Sequence, residues 1–186
     1  MKILAFSGSL RAESYNTALA RAARELAPPG VVVEVYEGLG FLPPYDQDLD
    51  EDESRTPDSV LDLRERMETA DALFFVTPEY NGSIPGVLKN AIDWASARHR
   101  GSSLQNKTIA IAGVTTGQYG AIWAQQDLRK VLGISGARII PGELPVSRAA
   151  AVFDASGRLA DPLVAERLRE HLASLVAEAF PLAVAV

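Results

Sequence analysis

The chain has 186 residues, a formal net charge of −6 and a pI near 5.0, with 47% hydrophobic and 23% charged residues. That length fits one domain over residues 1–186, large enough to bury a sizeable core. Mild acidity without a basic stripe excludes a nucleic-acid partner, and the absence of cysteine excludes disulfides, thiolate metal sites and a cysteine nucleophile. The short apolar start lacks the length of a signal peptide, and no segment approaches the roughly 18 apolar residues of a membrane span. The expectation is a cytoplasmic protein without a membrane partner.

In chain order, KILAFS (2–7) reads as a buried strand. Ser14-Tyr15-Asn16 opens a helix whose Leu19, Ala22, Ala23 and Leu26 keep the helical period until Pro28-Pro29-Gly30 stops it. VVVEVY (31–36) is a β-branched strand. A polar segment from Gly38 to Pro57 precedes a helix over about 57–70 with Val60, Leu63 and Met67 on one face. ALFFVT (72–77) is the third strand. Pro85 suits the first turn of the next helix, where Ile84, Val87, Leu88, Ala91, Ile92 and Ala95 share a face. TIAIAGV (108–114), a helix over 121–132, a short strand at 137–140 and a last helix near 162–179 complete the pattern. Residues 143–157 and the terminal PLAVAV carry no recognisable pattern.

Strands that are near-continuous apolar runs, alternating with helices, fit an open, doubly wound α/β domain with a parallel sheet covered on both faces. Ligands of such folds sit beyond the carboxyl ends of the strands, at the topological switch point. The segments leaving strands one, three and four are SGSLRAES, PEYNGS and TTGQYG, the most unusual loops in the chain.

The first loop has neither the Gly-Lys-Ser/Thr of a P-loop nor a G-x-G-x-x-G fingerprint. Ser9, Arg11, Ser14 and Asn16, with the N–H groups of the helix start, suit a terminal phosphate monoester. The alternative is plainer, with Ser14 an N-cap and Arg11 a solvated cation. In the second loop, Pro78 and Pro85 bracket a stiff turn and Asn81-Gly82 can take left-handed conformations. Tyr80 offers an aromatic face and the main chain of Glu79, Asn81 and Gly82 offers donors, together matching a flat heteroaromatic ring. Thr115, Thr116, Gly117 and Gln118 would meet the far edge of that ring or a polyol chain.

Together, GSLRAESYN and TPEYNGSIPGVLKNAIDW resemble the NAD(P)H-dependent FMN reductases of flavodoxin-like fold, a group including quinone, azo-dye and chromate reductases. The resemblance runs over about residues 1–150. It implies a five-stranded parallel sheet in the order 2-1-3-4-5, noncovalent FMN, NADPH or NADH as co-substrate, and a homodimer or homotetramer. Ser9, Arg11, Ser14 and Asn16 match the phosphate loop, and Pro78, Glu79, Tyr80, Asn81 and Gly82 the ring loop. Thr115 and Thr116 match less firmly. The activity implied is two-electron transfer by a ping-pong mechanism to quinone, flavin, azo or metal-oxyanion acceptors, with no essential catalytic side chain. The alternative is a flavodoxin-type electron carrier without a nicotinamide site.

Other chemistries fit poorly. Ser83 lacks a G-x-S-x-G elbow, and His99 and His171 read as surface residues, not spaced as metal ligands. Asp46, Asp48 and Asp50 open like a calcium loop, but Glu51 replaces the required glycine, so this acidic run reads as a solvated loop. A 2′-phosphate on the nicotinamide substrate would need a cation, for which Arg98, Arg100 and Arg148 are candidates.

Overall fold

Apolar runs that alternate between two opposite faces build the parallel strands β1 (Lys2–Ser7), β2 (Val32–Tyr36), β3 (Ala72–Thr77) and β4 (Thr108–Val114). The computed structural model describes residues 1–96 and 101–180; Arg98, His99, Arg100 and the 181–186 tail lie outside that set. Side chains on a strand alternate sides. On one face Ile3, Ala5, Phe74, Val76, Ala110 and Ala112 pack against Leu19 of α1 (Tyr15–Leu26) and Leu168 and Leu172 of α7 (Pro162–Ala179). On the other, Leu4, Phe6, Leu73, Phe75, Ile109 and Ile111 pack against α3 (Asp58–Thr69), α4 (Gly86–Ala95) and α5 (Ile122–Ile134). Both faces are therefore covered at the centre of the sheet, which is why β3 and β4 are buried along their whole length, whereas edge strand β2 carries Glu34.

With β5 (Arg138–Ile139) at the far edge, the strand order is β2-β1-β3-β4-β5, the flavodoxin-like arrangement. The chain steps outward from β1 to β2, then crosses back to β3. The switch point therefore lies between β1 and β3.

The fifth strand position differs from the sequence expectation. It holds two short pieces in tandem, β5 (Arg138–Ile139) and β6 (Leu144–Val146), the second within the segment that showed no pattern. Both pair in parallel with β4, through Thr108–Ile109 and Ala112–Val114 respectively. Pro141, which has no N–H, and Gly142 at φ 78° break the ladder between them. Ala110 and Ile111 of β4 face that break.

His171 fills it. Its Nε2 lies 2.9 Å from the Ile111 carbonyl, and its ring packs edge-on to Phe74. The histidine expected at the surface is instead partly buried against the strand edge. Burial pushes its pKa below the ordinary 6.5, assisted by Arg129 and Arg167, while the Ile111 carbonyl and Glu143 oppose the shift.

The long segment after β2 is more ordered than its polarity suggested. It contains a 3-10 turn over Gly38–Phe41 and the short helix α2 (Gln47–Glu51), capped by the Asp46 carboxylate accepting from the Asp48 N–H. Asp50, part of the run read as solvated, is fully buried and ion-paired with Arg64. Arg64 also donates to the Trp94 carbonyl at 3.0 and 2.7 Å, tying this segment to α3 and α4. A buried carboxylate needs such a partner because desolvation alone would expel it.

His171 generates a prediction. The unfolded chain takes up a proton near pH 6.5, whereas the folded chain resists until a lower pH. Stability from this group is complete above pH 6.5 and declines below it, by at most about 1.4 kcal/mol per pH unit. Urea midpoints measured from pH 7.5 to 5 are expected to fall less steeply for His171→Gln than for the parent; parallel curves would exclude the buried neutral imidazole.

Candidate functional site

Loops leaving β1, β3 and β4 are joined to one another by specific contacts. The Gly8 N–H donates to the Val76 carbonyl at 2.8 Å, carrying the β1–β3 ladder one residue further. A Cβ at Gly8 would stand 3.1 Å from Leu88 and 3.2 Å from Pro78, so the first loop lies directly on the second. Asn16, buried in the first turn of α1, donates from its amide nitrogen to the Val114 carbonyl at 3.1 Å. Its amide oxygen accepts from the Val114 N–H at 2.9 Å. That pair binds the helix start to the end of β4.

Within the first loop Ser14 is the N-cap of α1, accepting from the N–H groups of Asn16 and Thr17. Its own O–H proton remains available to a further acceptor. The Ser9 hydroxyl accepts weakly from the Arg11 N–H at 3.3 Å. Arg11 is exposed, with its guanidinium 5.7 Å from the centre of the Tyr15 ring. Among the described residues, the main-chain N–H groups of Ala12, Glu13, Ser14 and Tyr15 have no acceptor. They surround the positive end of a helix dipole, where a phosphate is stabilised most.

The second loop folds back through reciprocal bonds between Tyr80 and Ser83, at 3.0 and 3.1 Å. Asn81 at φ 53° and Gly82 at φ 74° make that reversal, which leaves the N–H groups of Glu79, Asn81 and Gly82 without acceptors among the described residues. Tyr80 stays half exposed beside them and Pro78 is buried beneath. These are unpaired donors on a stiff, largely exposed turn, suited to carbonyl oxygens and ring nitrogens.

One function of this loop could not be read in the sequence alone. The Glu79 carboxylate accepts from the N–H groups of Trp123 and Ala124, at 3.1 and 3.2 Å. Helix α5 begins after Ala121, which has no capping side chain and sits at φ 60°. Glu79 supplies the missing cap from another loop, and its charge meets the helix dipole. Ser83 adds a second tie, donating to Asp127 at 2.7 Å. The clue available beforehand was the lack of Ser, Thr, Asp or Asn ahead of α5.

The third loop is fastened from its far side. The Thr115 N–H donates to Val146, the Arg148 N–H to Gly117, and the Ala149 N–H to Thr115, at 3.0, 2.8 and 3.0 Å. Thr116 and Gln118 are left exposed. The Thr115 hydroxyl makes only a long 3.5 Å contact with the Gly117 carbonyl. Gly120, at φ 58°, lies so close to the next segment that an added Cβ would sit 2.7 Å from the Val146 nitrogen.

A groove of about 720 Å³ runs along α1, lined among others by Arg21, Glu25, Asp154, Arg158 and Arg169. It shares Arg11 and Ser14 with the first loop but includes none of residues 78–82 or 115–118. Its opposed charges largely neutralise one another. The three-loop cluster, unlike this groove, gathers unpaired donors, and it is the candidate site.

Strand order and the donor-rich loops beyond its switch point define a flavodoxin-like oxidoreductase. The chain belongs to the NADPH-dependent FMN reductase family, whose profile matches residues 1–151. That family works with FMN and NAD(P)H. An NAD(P)H-dependent FMN reductase of Pseudomonas aeruginosa is 41% identical over 94% of this chain and 93% of its own length. A quinone reductase of Pseudomonas putida is 39% identical over 83% of this chain and 82% of its own. Among solved structures, the flavoenzyme NAD(P)H:(acceptor) oxidoreductase FerB of Paracoccus denitrificans superposes with a TM-score of 0.86. It is 34% identical, with 96% of each chain covered.

The packing of the third loop makes a paired prediction. Gly120→Ala is expected to cost about 1–3 kcal/mol, because its Cβ meets main-chain atoms that cannot turn aside. Gly117→Ala meets only the Thr115 hydroxyl, at 3.9 Å, and is expected to stay within about 0.5 kcal/mol of the parent. Urea denaturation midpoints of the two variants decide this; equal values would contradict the close approach at Gly120.

Proposed function

We propose that this chain is a single FMN-binding domain that oxidises NADPH or NADH and passes two electrons, in separate half-reactions, to small electrophiles. Quinones are the first class to test, since relatives carry that name. The observation that carries the proposal is the set of unpaired donors gathered beyond the switch point.

The donor set fits FMN in kind. The first loop provides hydroxyl protons of Ser9 and Ser14, the guanidinium of Arg11 and a helix N-terminus, all matched to a phosphate dianion. Asn16 already uses its amide on Val114, so in this reading its share is to hold the loop in place. Glu79, Asn81 and Gly82 offer N–H groups to the polar edge of the ring, between Pro78 beneath and the Tyr80 face. Thr115 and Thr116 flank the other side. When bound, FMN supplies the two-electron chemistry, accepting hydride from the nicotinamide and passing reducing equivalents to the acceptor.

The chain's own contribution is position and charge. The main-chain N–H dipoles of Glu79, Asn81 and Gly82 would stabilise negative charge on a reduced ring, and being fixed beforehand they need no reorganisation. The Glu79 carboxylate would oppose that effect if it turned toward the ring; capping α5 keeps it occupied. No side chain is required to move a proton in this scheme. A homodimer or homotetramer in the cytoplasm completes the proposal, supported by the exposed Tyr80, Tyr119 and Trp123 near the same edge.

Anaerobic mixing of the FMN-loaded protein with NADPH is expected to bleach the flavin without any partner protein. A colour that persists until a partner reductase is added would favour the electron-carrier alternative. Arg11→Ala is expected to weaken FMN binding by about 10- to 100-fold, the range of a lost charge-assisted contact, while turnover per retained flavin stays unchanged. A purified variant with its full yellow complement would remove Arg11 from the phosphate site.

A further inference from the structure

Three of the four described non-glycine residues at positive φ lie on the loops at the carboxyl edge of the sheet: Asn81, Ala121 and Arg148. The first two have local reasons, a tight reversal and the start of α5. Arg148, at φ 52°, precedes the four-residue helix α6 (Ala149–Val152) and caps it with no side-chain bond. A left-handed arginine is uncommon and strained, a conformation that glycine adopts freely.

The backbone there is bound to the site. The Arg148 N–H donates to Gly117, and the following N–H donates to Thr115, so this residue rides on the third loop. Its side chain is exposed, with no ion pair or hydrogen bond among the described residues. Nearby arginines are committed elsewhere. Arg129 pairs with Glu143 at 2.8 Å and donates to the Ile140 and Gly142 carbonyls, and Arg167 donates to the Pro145 carbonyl at 3.4 Å.

On the loops after β1, β3, β4 and β6, Arg11 and Arg148 are the described cations without a carboxylate partner. The strands their loops leave lie three positions apart in the order β1, β3, β4 and the outer row, roughly 14 Å at about 4.8 Å per strand. Arg148 thus leaves a different strand row from the one whose loop carries Arg11.

We propose that Arg148 holds the 2′-phosphate of NADPH and is thereby the residue that distinguishes NADPH from NADH; this rests on the FMN reading above. A guanidinium fork at an exposed rim suits a terminal monoester, which presents three free oxygens and close to two charges. On this proposal the dinucleotide lies with its nicotinamide toward the ring loop and its adenosine end toward that rim. Arg98 and Arg100, the other sequence candidates, lie outside the described residues.

The test uses the FMN-loaded protein and the KM for each nucleotide, with a fixed quinone acceptor. Arg148→Gly relieves the left-handed strain, so its thermal midpoint is expected to equal or exceed the parent's. Its KM for NADPH is expected to rise about 10-fold or more, with the NADH value and flavin content unchanged. Arg148→Lys, keeping charge without the fork, is expected to fall between. Equal changes for both nucleotides would move Arg148 to a group they share and overturn the proposal, as would no change for either. If the parent holoprotein is reduced by neither nucleotide, the FMN-reductase reading itself fails, and this inference with it.

Discussion

The site depends on one buried side chain. Asn16 bonds both main-chain groups of Val114, at the point where β4 ends and its loop begins. A buried amide left half satisfied would be costly, and here both ends are used, so α1 and β4 are held in fixed register. From that junction the first loop reaches Gly8 and Pro78, and the third loop continues to Val146 and Arg148. The loops converge because this contact fixes the relative position of their roots.

Order in the second loop comes from another direction. Glu79 and Ser83 anchor it to α5 rather than to the sheet, and the turn between them leaves three N–H groups facing outward. A stiff turn with unpaired donors is unstable by itself, since each such group prefers water or an acceptor. Those donors are tolerated because the turn is solvent-facing, and they remain free for a ligand that supplies oxygens. The same logic accounts for the open N–H groups at the start of α1.

Backbone strain is concentrated at the same edge. Asn81, Ala121 and Arg148 all hold left-handed conformations there, each fixed by neighbouring hydrogen bonds. Strain of this kind persists where the surrounding structure over-determines it. The break between β5 and β6 is met by the His171 ring, whose Nε2 reaches the Ile111 carbonyl.

The amino-acid sequence determined the parallel sheet, because strands buried on both faces must be apolar throughout, and 2–7, 72–77 and 108–114 are. It also singled out three loops, whose composition departs from ordinary turns and whose order along the chain puts them at one edge. Only the tertiary structure decided the rest. The pairing of 144–146 with β4 is carried by neighbours distant in sequence, and three residues show no period. His171 is partly buried against β4 and Asp50 is buried in an ion pair, because burial depends on what lies opposite, not on the residue's own polarity. Glu79 took its role from an uncapped helix 44 residues away, a partnership that no local pattern encodes.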